Sequence, residues 1–159
     1  MKASDAVIKE EAAIGIVERV TELETAEKIH YLPHHAVIQK DAKTTKLRVV
    51  YDASSKEGEN GVYLNACLHV GPTLSPLLYE ILIRFRQKHI ALVGDTEKAF
   101  LNIKVNMHDH DCLRFLWVEN VDRDYADTVV YRFCRFVFRV NCSPFLLNAT
   151  FQYHLDKFY

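Results

Sequence analysis

The stretch that most constrains this chain is an apolar run that ends in a lone carboxylate. Residues 90–105 read IALVGDTEKAFLNIKV. Ile90, Ala91, Leu92 and Val93 leave no polar face to put in water, so the run predicts a buried strand, closed by Gly94. Asp95 follows at its end. An unpaired charge at the margin of a core is costly, so this carboxylate is expected to be hydrogen-bonded, paired or bound to a metal ion. Local pattern leaves two readings open: Asp95 caps the short helix suggested by Glu97 to Leu101, or it is the working group of a site.

At 159 residues, 49% of them hydrophobic, the chain fits one ordinary domain or a piece of a larger one. A formal net charge of −1 removes any strong global field. A nucleic-acid partner would therefore have to meet a local basic strip. Cys67, Cys112, Cys134 and Cys142 form no C-x-x-C pair. They are expected to be reduced thiols, most of them buried, in a soluble intracellular protein. The histidines, His34-His35 and His108-x-His110 among them, lack the i, i+4 spacing with an intervening Glu that marks a zinc helix. They are expected on the surface or in loops. No run approaches the roughly 20 apolar residues that span a bilayer, and the start does not read as a signal peptide.

In chain order, Val7, Ile8, Ala12 and Ile16 recur at helical spacing, with Gly15 as a weak point. This predicts a solvated helix packed on the outside. Tyr31 to Ile38 reads as extended because Pro33 biases Leu32 away from helix, and Lys46 to Asp52 reads as its partner strand. The two make a hairpin with a polar tip, and Lys40, Lys43, Lys46 and Arg48 supply the local basic strip. Ala53 to Gly61 has loop composition. Ser75 as N-cap and Pro76 as first residue predict a helix whose stripe is Leu74, Leu77, Leu78, Ile81, Leu82 and Phe85. Residues 112–118 and 129–138 read as antiparallel strands. Ser143-Pro144 predicts a second helix, with Leu147, Phe151, Leu155 and Phe158 as its buried stripe.

Three stretches occur in a telling order: Lys46-Leu47-Arg48-Val49-Val50-Tyr51-Asp52-Ala53-Ser54, Asp95-Thr96-Glu97-Lys98-Ala99-Phe100, and Ser143-Pro144-Phe145-Leu146-Leu147-Asn148-Ala149-Thr150. With Tyr31 to His35 and Cys67 to Pro72, they resemble the reverse transcriptase of long-terminal-repeat retrotransposons, most closely the Bel/Pao group, over about residues 31–159. The resemblance implies an α+β fold: an incomplete polymerase palm, a ferredoxin-like antiparallel sheet with helices on one face, plus a fingers β-hairpin. The corresponding division is a helical lead-in over 1–30, a fingers-like region over 31–89 and a partial palm over 90–159.

The activity implied is template-directed transfer of deoxynucleotides. Asp95 and the carbonyl of Thr96 match the position that binds Mg2+ or Mn2+, which needs hard oxygen ligands. Phe100 matches the aromatic under the incoming sugar; a plain core aromatic is the other reading. Arg48 and Lys46 match the basic groups on the triphosphate, where guanidinium forks suit phosphate oxygens. Ser143, Pro144 and Asn148 match a segment beside template and nucleotide. Implied partners are a template-primer, the remaining palm, and the RNase H and integrase regions of a polyprotein, in cytoplasm or a virus-like particle.

Two departures bear on this. Arg139 stands where the family usually has a glycine, and a bulky cation there would obstruct the nucleotide or meet a phosphate. No Tyr-x-Asp-Asp motif occurs up to Tyr159. One carboxylate does not hold two divalent ions, so this chain alone is not expected to extend a primer. It is also expected to expose a sheet edge and part of a core that further palm strands would cover. A non-catalytic remnant that binds nucleic acid or protein is the alternative, and an unrelated domain holding a metal through its histidines is a third.

Overall fold

A computed structural model describes residues 2–21, 27–38, 47–87, 89–119 and 127–158. The fold is mixed α+β with two small antiparallel sheets. Helix α1 (Lys2–Ala13) leads through Gly15 (φ 70°) into β1 (Val17–Arg19). β2 (His34–Ile38) and β3 (Leu47–Tyr51) form the hairpin, with His34 opposite Tyr51 and Ile38 opposite Leu47. Short helix α2 (Leu64–Cys67) and helix α3 (Leu78–Arg86) follow. After two 3-10 helices, Ala99–Asn102 and Met107–Leu113, come β4 (Arg114–Glu119), β5 (Asp127–Phe133) and helix α4 (Ser143–Phe158). Among these helices none is long and apolar enough to cross a membrane.

The three-stranded sheet runs β1-β5-β4, so the central strand is the late one, β5. Its alternation explains why. Val129, Tyr131 and Phe133 are buried on one side, where Phe115 and Trp117 of β4 join them. A period of two with one wet face is what an antiparallel sheet with one covered face requires. The hairpin lies on that covered face through its aromatics. Tyr51 meets Phe115 and Phe133 edge-on at ring-centroid distances of 5.1 and 4.8 Å, and His34 stacks on Trp117 at 5.3 Å. Burial holds the His34 imidazole below its ordinary pKa, so it joins the cluster as a neutral ring. Helix α1 adds Ile8 to the same core, and Asp5 accepts a 3.1 Å hydrogen bond from the Trp117 indole.

Several expectations are corrected. The N-terminal segment is no outer appendage: Ile8, Ile16 and Val17 are buried, and β1 pairs with β5. Residues 90–93 form no strand, and Ile90, Leu92 and Val93 are more than four-fifths exposed. Four apolar residues become a buried strand only where neighbouring strands take their backbone groups, and among the described residues none does so. Helix α3 starts at Leu78 with Leu77 as N-cap, not at Ser75, whose hydroxyl instead accepts from the Asn148 side chain. The stripes of α3 and of the second half of α4 are exposed rather than packed. Cys67 is exposed and the other three thiols are half-buried; all four are free. His110 is buried in the fold rather than placed on its surface. The hairpin tip, with Lys40, Lys43 and Lys46, lies outside the described residues.

Candidate functional site

A cleft of about 440 Å3 opens between the hairpin, the first 3-10 helix and the turn before α4. Each segment reaches it for a local reason. In β3, Arg48 is exposed between half-buried neighbours, as strand alternation dictates. Lys98 precedes the 3-10 helix in a left-handed conformation (φ 49°), which turns the chain and sets Phe100 into the cleft. Arg139 sits in the turn after Val137 and Phe138, also left-handed at φ 72°.

Three cations therefore converge from three distant segments, and among the described residues Glu11 is the one carboxylate in the lining. Clefts with one sign of charge over low-dielectric walls concentrate counter-ions, so this one suits a polyanion. Phe100 packs edge-on against Phe138 with ring centroids 5.6 Å apart, giving one wall a rigid apolar surface.

Lys98 and Arg139 are the two non-glycine residues with positive φ among those described, and both line this cleft. Left-handed backbone costs an L-residue about 1–2 kcal/mol, and strain of this kind collects at functional sites. The Arg139 turn is held by its neighbours. Its carbonyl accepts from Asn65 Nδ2 at 3.0 Å, while the Asn65 side-chain oxygen accepts from the Asn141 N–H at 2.9 Å. Asn65 also donates to Ser54 at 2.8 Å, so α2 ties this turn to the end of the hairpin. Arg139→Gly is expected to stabilise the chain by about 1 kcal/mol in urea unfolding, because glycine adopts φ 72° without the Cβ clash. A loss of stability would mean that the guanidinium, not the backbone, dominates there.

The cleft floor holds unsatisfied polar atoms. Glu11 Oε2 and the Tyr51 hydroxyl are buried and lack hydrogen-bond partners among the described residues. Burial pushes Glu11 from 4.5 up to about 6, partly offset by Lys98. A group whose folded pKa is raised contributes stability that is full below the unfolded value and gone above the folded one. Stability is thus expected to fall by about 2 kcal/mol as pH rises from about 4.5 to above 6. Glu11→Gln should flatten that segment of the stability-versus-pH curve measured by denaturant unfolding; an unchanged slope would locate the titration elsewhere.

Of the residues singled out in the sequence, Arg48 and Phe100 meet in this cleft, and Arg139 joins them. Asp95 and Thr96 do not line it. They lie exposed in the irregular segment before the 3-10 helix. Among the described residues, no cluster of three potential ligand side chains includes Asp95. Asp95 and the Thr96 carbonyl alone do not fit a two-ion site. Ser143 is buried and its hydroxyl donates to the Val137 carbonyl at 3.0 Å, so it fastens the start of α4. Pro144 is exposed beside it. Asn148 donates to Ser75 at 2.9 Å, tying α4 to the segment before α3. Gly71 (φ 81°) lies so close to the Phe145 ring that any Cβ would collide with it, which docks residues 67–72 on α4. Lys46 lies outside the described residues.

Sequence reasoning missed Lys98 and Glu11 as cleft residues. Lys98 had a signal in its place beside Phe100, whereas Glu11 becomes a cleft residue only when α1 packs beside the hairpin. No family model matches the chain, and no curated protein matches it.

Proposed function

We propose that this chain forms the fingers and first part of the palm of a template-directed nucleotidyl transferase, similar to the reverse transcriptase of Bel/Pao-group retrotransposons, and that its cleft receives an incoming deoxynucleoside triphosphate. The observation that carries the reading is the meeting of Arg48, Lys98 and Arg139 with Phe100 in one cleft, two of the cations on strained backbone. The left-handed Arg139 supports it further, since that is the conformation a glycine would be placed there to adopt.

In this reading Arg48 donates to phosphate oxygens, Lys98 and Arg139 neutralise the rest of the triphosphate, and Phe100, backed by Phe138, is the wall against the sugar. Lys46, two residues before Arg48 in the sequence, is the second basic group that the resemblance assigns to the triphosphate. Asp95 serves as a metal ligand only beside further palm carboxylates, so the complete enzyme is the RNA-directed DNA polymerase and this chain is its nucleotide-reading part. The template-primer and the remaining palm, RNase H and integrase regions are the proposed partners, in cytoplasm or a virus-like particle. The exposed apolar faces of α3 and α4 fit a fold that is completed by further chain. One observation favours a purely binding role for the isolated chain: Asp95 lies apart from the cleft lining.

Calorimetric titration with deoxyguanosine triphosphate tests the proposal. Charge-assisted hydrogen bonds contribute about 1.5–3 kcal/mol, so Arg48→Ala is expected to weaken binding about tenfold or more. Arg84→Ala, on exposed α3, is expected to leave it unchanged. No binding, or equal loss in both variants, would contradict the proposal.

A further inference from the structure

We propose that Glu18, His110 and Cys134 form a zinc site separate from the nucleotide cleft. One carboxylate oxygen, one ring nitrogen and the Cys134 sulfur lie within 4.8 Å of one another. They come from β1, the second 3-10 helix and the residue after β5, so the site exists only in the folded chain. The Cys134 backbone is fixed on both sides: its N–H donates to the Ile16 carbonyl at 2.8 Å, and its carbonyl accepts from Val105 at 3.0 Å.

The orientation of His110 is that of a metal ligand. Its Nε2 lies 3.1 Å from the Val105 carbonyl, which only accepts, so Nε2 carries the proton. In the neutral ring, Nδ1 then presents its lone pair to Glu18 Oε1, 3.4 Å away. The same two atoms that share a proton when the ring is charged can share a metal cation when it is neutral. The separation also matches the roughly 3.3 Å between nitrogen and oxygen ligands on a tetrahedral zinc with bonds of about 2.0 Å. Ligating histidines are commonly fixed in this way, by a hydrogen bond from the other ring nitrogen to a carbonyl.

Glu18 is supported as well. Arg132 Nε donates to Glu18 Oε1 at 2.6 Å and its Nη1 donates to Asp111, so the carboxylate is oriented and still has lone pairs to give. The Glu18 side chain is 42% exposed, which provides an entry path and room for water as a fourth ligand. A set of one nitrogen, one sulfur and one oxygen selects zinc over magnesium or calcium, which take oxygen ligands. The bound ion would fasten β1 to the end of β5.

The full chain is titrated with Co2+ as a spectroscopic probe and then with Zn2+. The expected result is one Co2+ per chain with a thiolate-to-cobalt charge-transfer band that Zn2+ abolishes, and a higher melting temperature with Zn2+. The band is lost in Cys134→Ser and kept in Cys67→Ser. Glu18→Gln, which keeps an acceptor for Arg132, weakens Zn2+ binding about tenfold or more. A folded wild-type chain without the band, a band that survives Cys134→Ser, or Zn2+ affinity unchanged by Glu18→Gln would overturn the proposal.

Discussion

Replacing Asp111 by alanine is expected to destabilise the chain by about 3–5 kcal/mol, because it strands a buried arginine. Arg114 and Arg132 stand directly opposite each other across β4 and β5. Like charges in that position repel, and Arg114 is only 2% exposed, so water does not screen it. Asp111 resolves the conflict. Its Oδ1 accepts from Arg114 Nε at 2.7 Å, and both of its oxygens accept from Arg132 Nη1, at 3.0 and 3.1 Å. Burial alone would raise the Asp111 pKa, but the two guanidinium groups outweigh it and hold the carboxyl below its ordinary range. Without the carboxylate, the sheet carries two opposed cations, one of them desolvated. Urea unfolding of Asp111→Ala against wild type measures the loss. A loss below about 1 kcal/mol would show that Arg114 finds another partner or water.

Phe115→Ala is expected to cost about 3–5 kcal/mol, the range for emptying a packed aromatic site. Phe115 is fully buried, and its ring touches those of Tyr131 and Phe133 in the sheet and of His34 and Tyr51 in the hairpin. It is the ring on which the hairpin rests. Its loss should therefore loosen the hairpin before the sheet, and so disturb the wall of the cleft that carries Arg48. Trp117 is the chain's single tryptophan and stacks on His34, so its fluorescence reports that contact directly. The expected result is a red-shifted emission at denaturant concentrations where the far-ultraviolet signal is still native. Coincident transitions would instead make hairpin and sheet one cooperative unit.

The parts of the fold legible in the sequence are those whose partners lie close along the chain. The hairpin is one, since β2 and β3 are joined by a polar tip; β4 and β5 are another, and α4 announces itself with Ser143-Pro144. What could not be read depends on distant contacts. β1 is three residues long and includes Glu18 and Arg19, so only its pairing with β5 makes it a strand. The apolar run 90–93 was expected to be covered, but periodicity reports an appetite for burial and not whether a neighbour meets it. His110 shows the converse: in sequence it sits in a polar turn, yet a carboxylate 92 residues away and the Val105 carbonyl hold it in the interior.

Arg48 and Phe100 drew attention by their motif positions, and both line one cleft. The left-handed backbone at Lys98 and Arg139 was not, because neither residue type advertises it. Asp95 was the clearest chemical signal in the chain. It lies exposed, outside any group of three potential ligand side chains among the described residues, and the cleft lined by Arg48, Lys98 and Arg139 rather than Asp95 gathers the charge.

The proposed function requires that this cleft read a nucleotide by its sugar as well as its phosphates. The decisive measurement compares the affinities of deoxyguanosine and guanosine triphosphates for the wild-type chain and for Phe100→Ala. Tighter binding of the deoxynucleotide by wild type, with the preference lost in Phe100→Ala, is the predicted result. Equal affinities in wild type, or a preference that survives Phe100→Ala, would contradict it.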